Sequence, residues 1–231
     1  MEPRKVKTAA DARAIVSERG LTHVKVGAFD IDGILRGKYM SRAKFESSLE
    51  SGFGFCDVVL GWDSKDQLYD NVRYTGWHTG YPDANVRVLP ETCRALPWEE
   101  PVVFFLGEFS GEGEKICPRG VLRRVLDRAR AMGYEVYAGF EYEFFVFKET
   151  PDSVRAKHYR NLTPLAPGWF GYSVLRNSTH SDFYRELLQT CEDMRFGIEG
   201  LHEETGAGVL EAGITVDTAE ESADKAALFK T

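Results

Sequence analysis

The chain is 231 residues long, 43% hydrophobic and 28% charged, with a formal net charge of −7. That composition suits a globular protein with one large domain or two smaller ones, and the acidic balance argues against nucleic acid or an anionic membrane as a partner. Met1 to Ala14 carry no apolar stretch of the signal-peptide kind, and the longest apolar run, Val102 to Leu106, is too short to span a bilayer. Cys56, Cys93, Cys117 and Cys191 form no CxxC pair, which points to reduced thiols and a cytoplasmic setting.

In chain order, Thr8 to Arg19 reads as a short helix ended by Gly20. Two strands follow, His23 to Phe29 and Ile34 to Met40, joined by the Asp-Gly turn Asp30 to Gly33. Ser41 to Leu49 is a helix opened by a serine cap. A glycine-punctuated region then runs to about Pro82, rich in Trp62, Tyr69, Tyr74, Trp77 and Tyr81. Exposed aromatics of this kind mark interfaces, and the alternative is packing into their own domain.

Asn85 to Leu89 and Val102 to Phe109 read as strands, with prolines between them. Ser110 to Glu114 is the expected domain boundary. Pro118 to Met132 is the clearest helix, with the stripe Val121, Leu122, Val125, Leu126 and Ala129 and a stop at Gly133. Tyr134 to Lys148 is an aromatic-rich strand, and Thr150 to Ser178 a polar excursion. Ser181 to Phe196 is a second amphipathic helix. Strands at Ile198 to His202 and Val209 to Val216 and a helix from Ala219 to Thr231 complete the chain.

Two clusters of carboxylates stand out. Glu141 and Glu143 are two residues apart on the strand, so alternation sends both side chains to one face while Tyr142 and Phe144 point to the other. Parallel carboxylates repel unless a cation or proton lies between them. Glu204 and Glu211 flank the turn Gly206-Ala207-Gly208, which lets two backbones approach and brings both acids to one point. Hard cations such as Mg²⁺ and Mn²⁺ take oxygen ligands of this sort, and two such strands could supply a two-metal site. The alternatives are a half-exposed strand with glutamates facing water and an acidic surface hairpin.

The two clusters in this order resemble the glutamine synthetase family, with Glu141-Tyr142-Glu143-Phe144 as its Glu-x-Glu-Phe strand and His202 to Glu211 as its second acidic motif. Arg36-Gly37-Lys38, Pro82-Asp83, Leu96-Pro97-Trp98 and Pro118-Arg119 are similar to further landmarks in the same order. The resemblance covers nearly the whole chain but about the first half of a family member. It implies an α+β fold, with a small β-grasp-like N-terminal domain (1–109) and an incomplete catalytic domain (110–231). It also implies a ligase that joins ammonia or another amine to the γ-carboxylate of glutamate with ATP as co-substrate. Glu143, Glu204 and Glu211 would hold one Mg²⁺ or Mn²⁺, Glu141 would serve a second beside the ATP phosphates, and Glu199 would contact the nucleotide. Active sites in this family form between subunits of a ring, so a ring-shaped homo-oligomer is expected.

Departures from the family pattern are Val209, where glutamine is usual, Cys117, where an acid is usual, and the loop near Asp57 and Asp63. They suggest another acceptor, such as a polyamine or an alkylamine. The family's histidine ligand and phosphate-gripping arginines are expected beyond Thr231, so the chain alone is expected to be an inactive fragment. Two other readings remain. One is a non-catalytic, ligase-like structural or assembly protein. The other takes Asp30-Ile31-Asp32-Gly33 as the DxDG motif of a haloacid-dehalogenase-type phosphatase, with Asp30 as nucleophile and Asp32 as acid/base.

Overall fold

The structure is a computed structural model that describes all residues, Met1–Thr231. Its helices are α1 (Ala9–Glu18), α2 (Arg42–Ser51), α3 (Pro118–Ala131), α4 (Pro151–Ala156), α5 (Val174–Thr179), α6 (Ser181–Asp193) and α7 (Ala219–Lys230). Its strands are β1 (His23–Phe29), β2 (Leu35–Ser41), β3 (Phe53–Cys56), β4 (Asp83–Val88), β5 (Arg94–Ala95), β6 (Val103–Phe109), β7 (Tyr137–Phe145), β8 (Ile198–Glu203) and β9 (Val209–Thr218). The fold is mixed α/β. No helix is long and apolar enough to cross a membrane. Packing divides the chain into two compact units. One comprises Met1–Val136, Asp193–Arg195 and Thr218–Thr231, the other Tyr137–Glu192 and Phe196–Asp217.

In the first unit the sheet runs β2-β1-β6-β4-β3, with β5 on the side of β6. The β1–β6 pair is parallel and its neighbours are antiparallel. Thr8 caps α1 through a capping box with Asp11, and Ser41 caps α2, so both expected helix starts hold to within a residue. Phe45 of α2 lies on Phe105 of β6 with ring centroids 4.8 Å apart, among buried Ile15, Val24, Val26 and Phe109.

Every residue of β6 is buried, Glu108 included. Its carboxylate is paired with Arg87, Arg123 and, at 2.7 Å, Arg119, and Arg119 also meets Asp224 of α7 through two bonds of 2.8 and 2.9 Å. Burying a charge this far from water is tolerable only with such partners.

The turn between β1 and β2 takes up the Asp30 carboxylate entirely. Buried Asp30 accepts from the N–H groups of Asp32 (2.9 Å) and Ile34 (2.8 Å) and from Arg36 Nε (2.8 Å). Asp32 accepts from the N–H of Ser64 at 2.9 Å. These are the bonds of an Asx-type turn, and they leave Asp30 no exposed oxygen for nucleophilic attack.

The region from Gly52 to Pro82 is less structureless than expected, since it holds β3 and a 3-10 turn at Asp57–Leu60. Its aromatics divide. Tyr74 and Trp62 pack against the core, whereas Trp77 is 83% exposed. On α3, Leu126 is buried but Val121 and Val125 are exposed, so only part of the expected stripe is covered.

In the second unit a three-stranded sheet, β7-β9-β8, packs one face on Leu165, Tyr184 and Leu210, joined by Phe144, Val146, Phe183 and Leu201. The long strand expected from Tyr134 stops at Phe145. Past it the chain re-pairs by a single bridge, Phe147 with Pro164. The polar excursion contains the short helices α4 and α5, each opened by a hydroxyl cap, at Thr150 and Ser173. Local side-chain bonds of this kind do not register in an apolar period.

Candidate metal centre

The site face of this sheet follows from strand alternation. On β9, Leu210, Ala212 and Ile214 are buried, which turns Glu211 and Gly213 to the other side. On β7, Tyr142 and Phe144 are half-buried while Glu141 and Glu143 are exposed on the opposite face. His202 of β8 is paired directly with Glu211, and Gly200 with Gly213.

Val146 donates its N–H to Gly208 O at 2.8 Å, and Gly139 lies beside Ile214 O and Val216 at the far end. These contacts run β7 antiparallel to β9. His202 and Glu211 face each other across β8 and β9, and Glu141 and Glu143 stand on the neighbouring strand β7.

Glu204 joins His202 and Glu211 from the hairpin. The turn closes with Glu204 N–H to Val209 O at 2.9 Å and Val209 N–H to Gly206 O at 3.2 Å, and Gly208 takes a φ of 70° that an L side chain rarely adopts. The result is one cluster of His202, Glu204 and Glu211, whose ligand atoms all lie within 4.8 Å of one another. His202 Nε2 is 3.1 Å from Glu204 Oε1 and 3.8 Å from Glu211 Oε2. Hydrogen bonds from His202 first, then from Tyr172, hold the Glu204 carboxyl below the usual carboxylate range. Glu199 is exposed near the start of β8.

Two participants escaped the sequence reading. In the sequence His202 reads only as the start of a motif. Its position two residues before Glu204 was an available signal, because alternation points both side chains to one side. Tyr172 had no linear signal, since it comes from the excursion. Its N–H donates to Glu203 O at 2.8 Å and its ring stacks on His202. Between these residues Glu203 turns into the core, where its Oε1 is buried without a hydrogen-bond partner.

The family model for the glutamine synthetase catalytic domain matches residues 115–231. A type-1 glutamine synthetase of Dictyostelium discoideum is 49% identical over 212 residues, which span 90% of this chain and 40% of that protein. A glutamate–isopropylamine ligase of a Pseudomonas species is 30% identical over 236 residues, spanning 100% of this chain and 51% of that one. The cryo-EM structure of Plasmodium falciparum glutamine synthetase superimposes with a TM-score of 0.75 at 15% identity, over 100% of this chain and 48% of that one. The chain belongs to the glutamine synthetase family. It spans about half the length of the relatives it matches, or somewhat less.

Proposed function

We propose that these residues belong to an ATP-dependent carbon–nitrogen ligase that joins ammonia or another amine to the γ-carboxylate of glutamate. The observation that carries this reading is the cluster of His202, Glu204 and Glu211, whose ligand atoms all lie within 4.8 Å of one another. An oxygen-rich donor set of this kind suits a hard divalent cation.

In this reading Glu143, Glu204 and Glu211 hold one Mg²⁺ or Mn²⁺, Glu141 serves a second beside the ATP phosphates, and Glu199 contacts the nucleotide. A divalent ion bound there would offset phosphate charge during phosphoryl transfer to glutamate. Tyr172 and His202 orient the Glu204 carboxylate, while Gly200 and Gly213, which face one another on the same sheet, leave room for a bulky anionic substrate. The names of several relatives, among them the isopropylamine ligase, support an acceptor other than ammonia, such as an alkylamine. The departures at Val209, Cys117 and the Asp57 loop point the same way.

The fuller reading takes 1–109 as a β-grasp-like N-terminal domain and 110–231 as the first part of a catalytic domain. The parent protein would be a ring-shaped homo-oligomer in the cytoplasm, with exposed Trp77 at a subunit contact. The test is γ-glutamyl-amide formation from glutamate, ATP, Mg²⁺ and a panel of amines, using the protein at the length of its relatives. Product that disappears in Glu204→Ala is the expected result. No product from ammonia or any amine would overturn the reading and leave a non-catalytic, ligase-like protein.

A further inference from the structure

The excursion between β7 and α6 is fastened at its base by one side chain. The Glu149 carboxylate, 5% exposed, accepts from Lys157 Nζ at 2.5 Å and from the Thr163 N–H at 2.8 Å, both through Oε1. Its Oε2 accepts from the Ser153 hydroxyl at 2.6 Å. Lys157 caps the end of α4 and Thr163 begins the returning segment, so a single carboxylate holds both ends of the loop 157–163.

The loop between them is strained. His158, Tyr159 and Asn161 all have left-handed φ values, 52°, 60° and 51°. Non-glycine residues hold that conformation only where the surroundings over-determine it.

The returning segment leads to the acidic cluster. Lys148 donates to Thr163 O and Leu165 to Val146 O, each at 2.8 Å. This segment abuts Gly208, where an added Cβ would lie 2.8 Å from Val146 O and 3.0 Å from both Leu165 N and Pro164 Cβ. Gly208 sits in the hairpin between Glu204 and Glu211. The same segment continues to Tyr172, which is bonded to Glu203 O and stacked on His202.

We propose that Glu149 is a positioning residue for the ion site. By pinning Lys157 and Thr163 it fixes the segment 163–166 against Gly208, and so sets the spacing of Glu204, Glu211 and His202. This role rests on the ion-binding reading given above. Glu149 itself stays away from the ion and acts through the main chain.

The test compares wild type, E149A and E149Q by trypsin cleavage after Lys157 and Arg160 and by Mn²⁺ titration well below the thermal midpoint. E149A is expected to be cleaved about tenfold faster and to bind Mn²⁺ about tenfold more weakly, with its sheet circular dichroism retained. E149Q keeps an acceptor for the Thr163 N–H but loses the charge that holds Lys157, so it should fall between. Wild-type Mn²⁺ affinity in both variants would overturn the proposal, even with faster cleavage. If E149A loses its secondary structure, E149Q carries the comparison, and unchanged affinity there overturns it. Failure of the wild type to bind Mn²⁺ would remove the ion site and this role together, while faster cleavage would still mark Glu149 as the fastening of the loop.

Discussion

The ring of Tyr172 lies over the imidazole of His202, with centroids 4.5 Å apart and planes within 15° of parallel. Tyr172 is 68% exposed, so burial alone does not account for the stack. Its φ of 59° is left-handed, and the N–H that this conformation presents is taken up by Glu203 O. A tyrosine held so, with its ring on His202 and its hydroxyl beside Glu204, helps to keep the cluster in fixed orientation.

Removing the ring should therefore loosen the cluster. Tyr172→Ala is expected to weaken Mn²⁺ binding by about tenfold or more, and Tyr172→Phe, which keeps the stack and loses the hydroxyl, by less than that. Calorimetric titration measures both. Equal affinities for all three proteins would mean the stack does not orient the ligands.

Arg119 answers two buried acids, Glu108 and Asp224, from one guanidinium. Arg119→Ala should destabilise the protein by about 3–5 kcal/mol, because Glu108 stays buried with its pairing reduced. Urea unfolding checks this. A loss below about 1 kcal/mol would place the stabilisation in the Arg87 and Arg123 contacts.

This network also marks a limit of the sequence. Val102 to Phe109 reads as an apolar strand, and all of β6 is buried, but nothing local explains how Glu108 can be. Its partners come from β4, α3 and, through Arg119, α7. The β7 glutamates and the β8–β9 hairpin were legible because period-two alternation and a Gly-x-Gly turn are local rules. Tyr172 was not, because only the folded excursion brings it to His202. The α3 stripe showed a direction, and periodicity could not tell that Val121 and Val125 would stay exposed.

The thiols should differ in reactivity. Burial pushes Cys93 up to about 12 and Cys191 up to about 11, and Cys117 is also buried, whereas Cys56 is half-buried. A thiol reagent at pH 8 should modify Cys56 quickly and the other three only after denaturation. Rapid native labelling of Cys93 would contradict the packing described.

Glu149 gives the excursion a defined pH response. Lys157 first, then Ser153 and Thr163, hold its carboxyl down to about 2, against an ordinary value of 4.5. A carboxyl depressed by folding contributes fully above its unfolded value and loses that contribution as pH falls through its folded value. Pepsin cleavage within 157–163 should therefore rise between about pH 4.5 and 2 in the wild type. E149Q should lack that component. Identical profiles for the two would exclude Glu149 as the titrating latch.

Mn²⁺ titration of the chain beside its Glu204→Gln and Glu211→Gln variants tests the central claim most directly, since both substitutions keep side-chain size and remove only charge. Saturable binding by the wild type, weakened at least about tenfold in each variant, is the predicted result. Binding of equal strength in all three proteins would contradict an ion site built on Glu204 and Glu211.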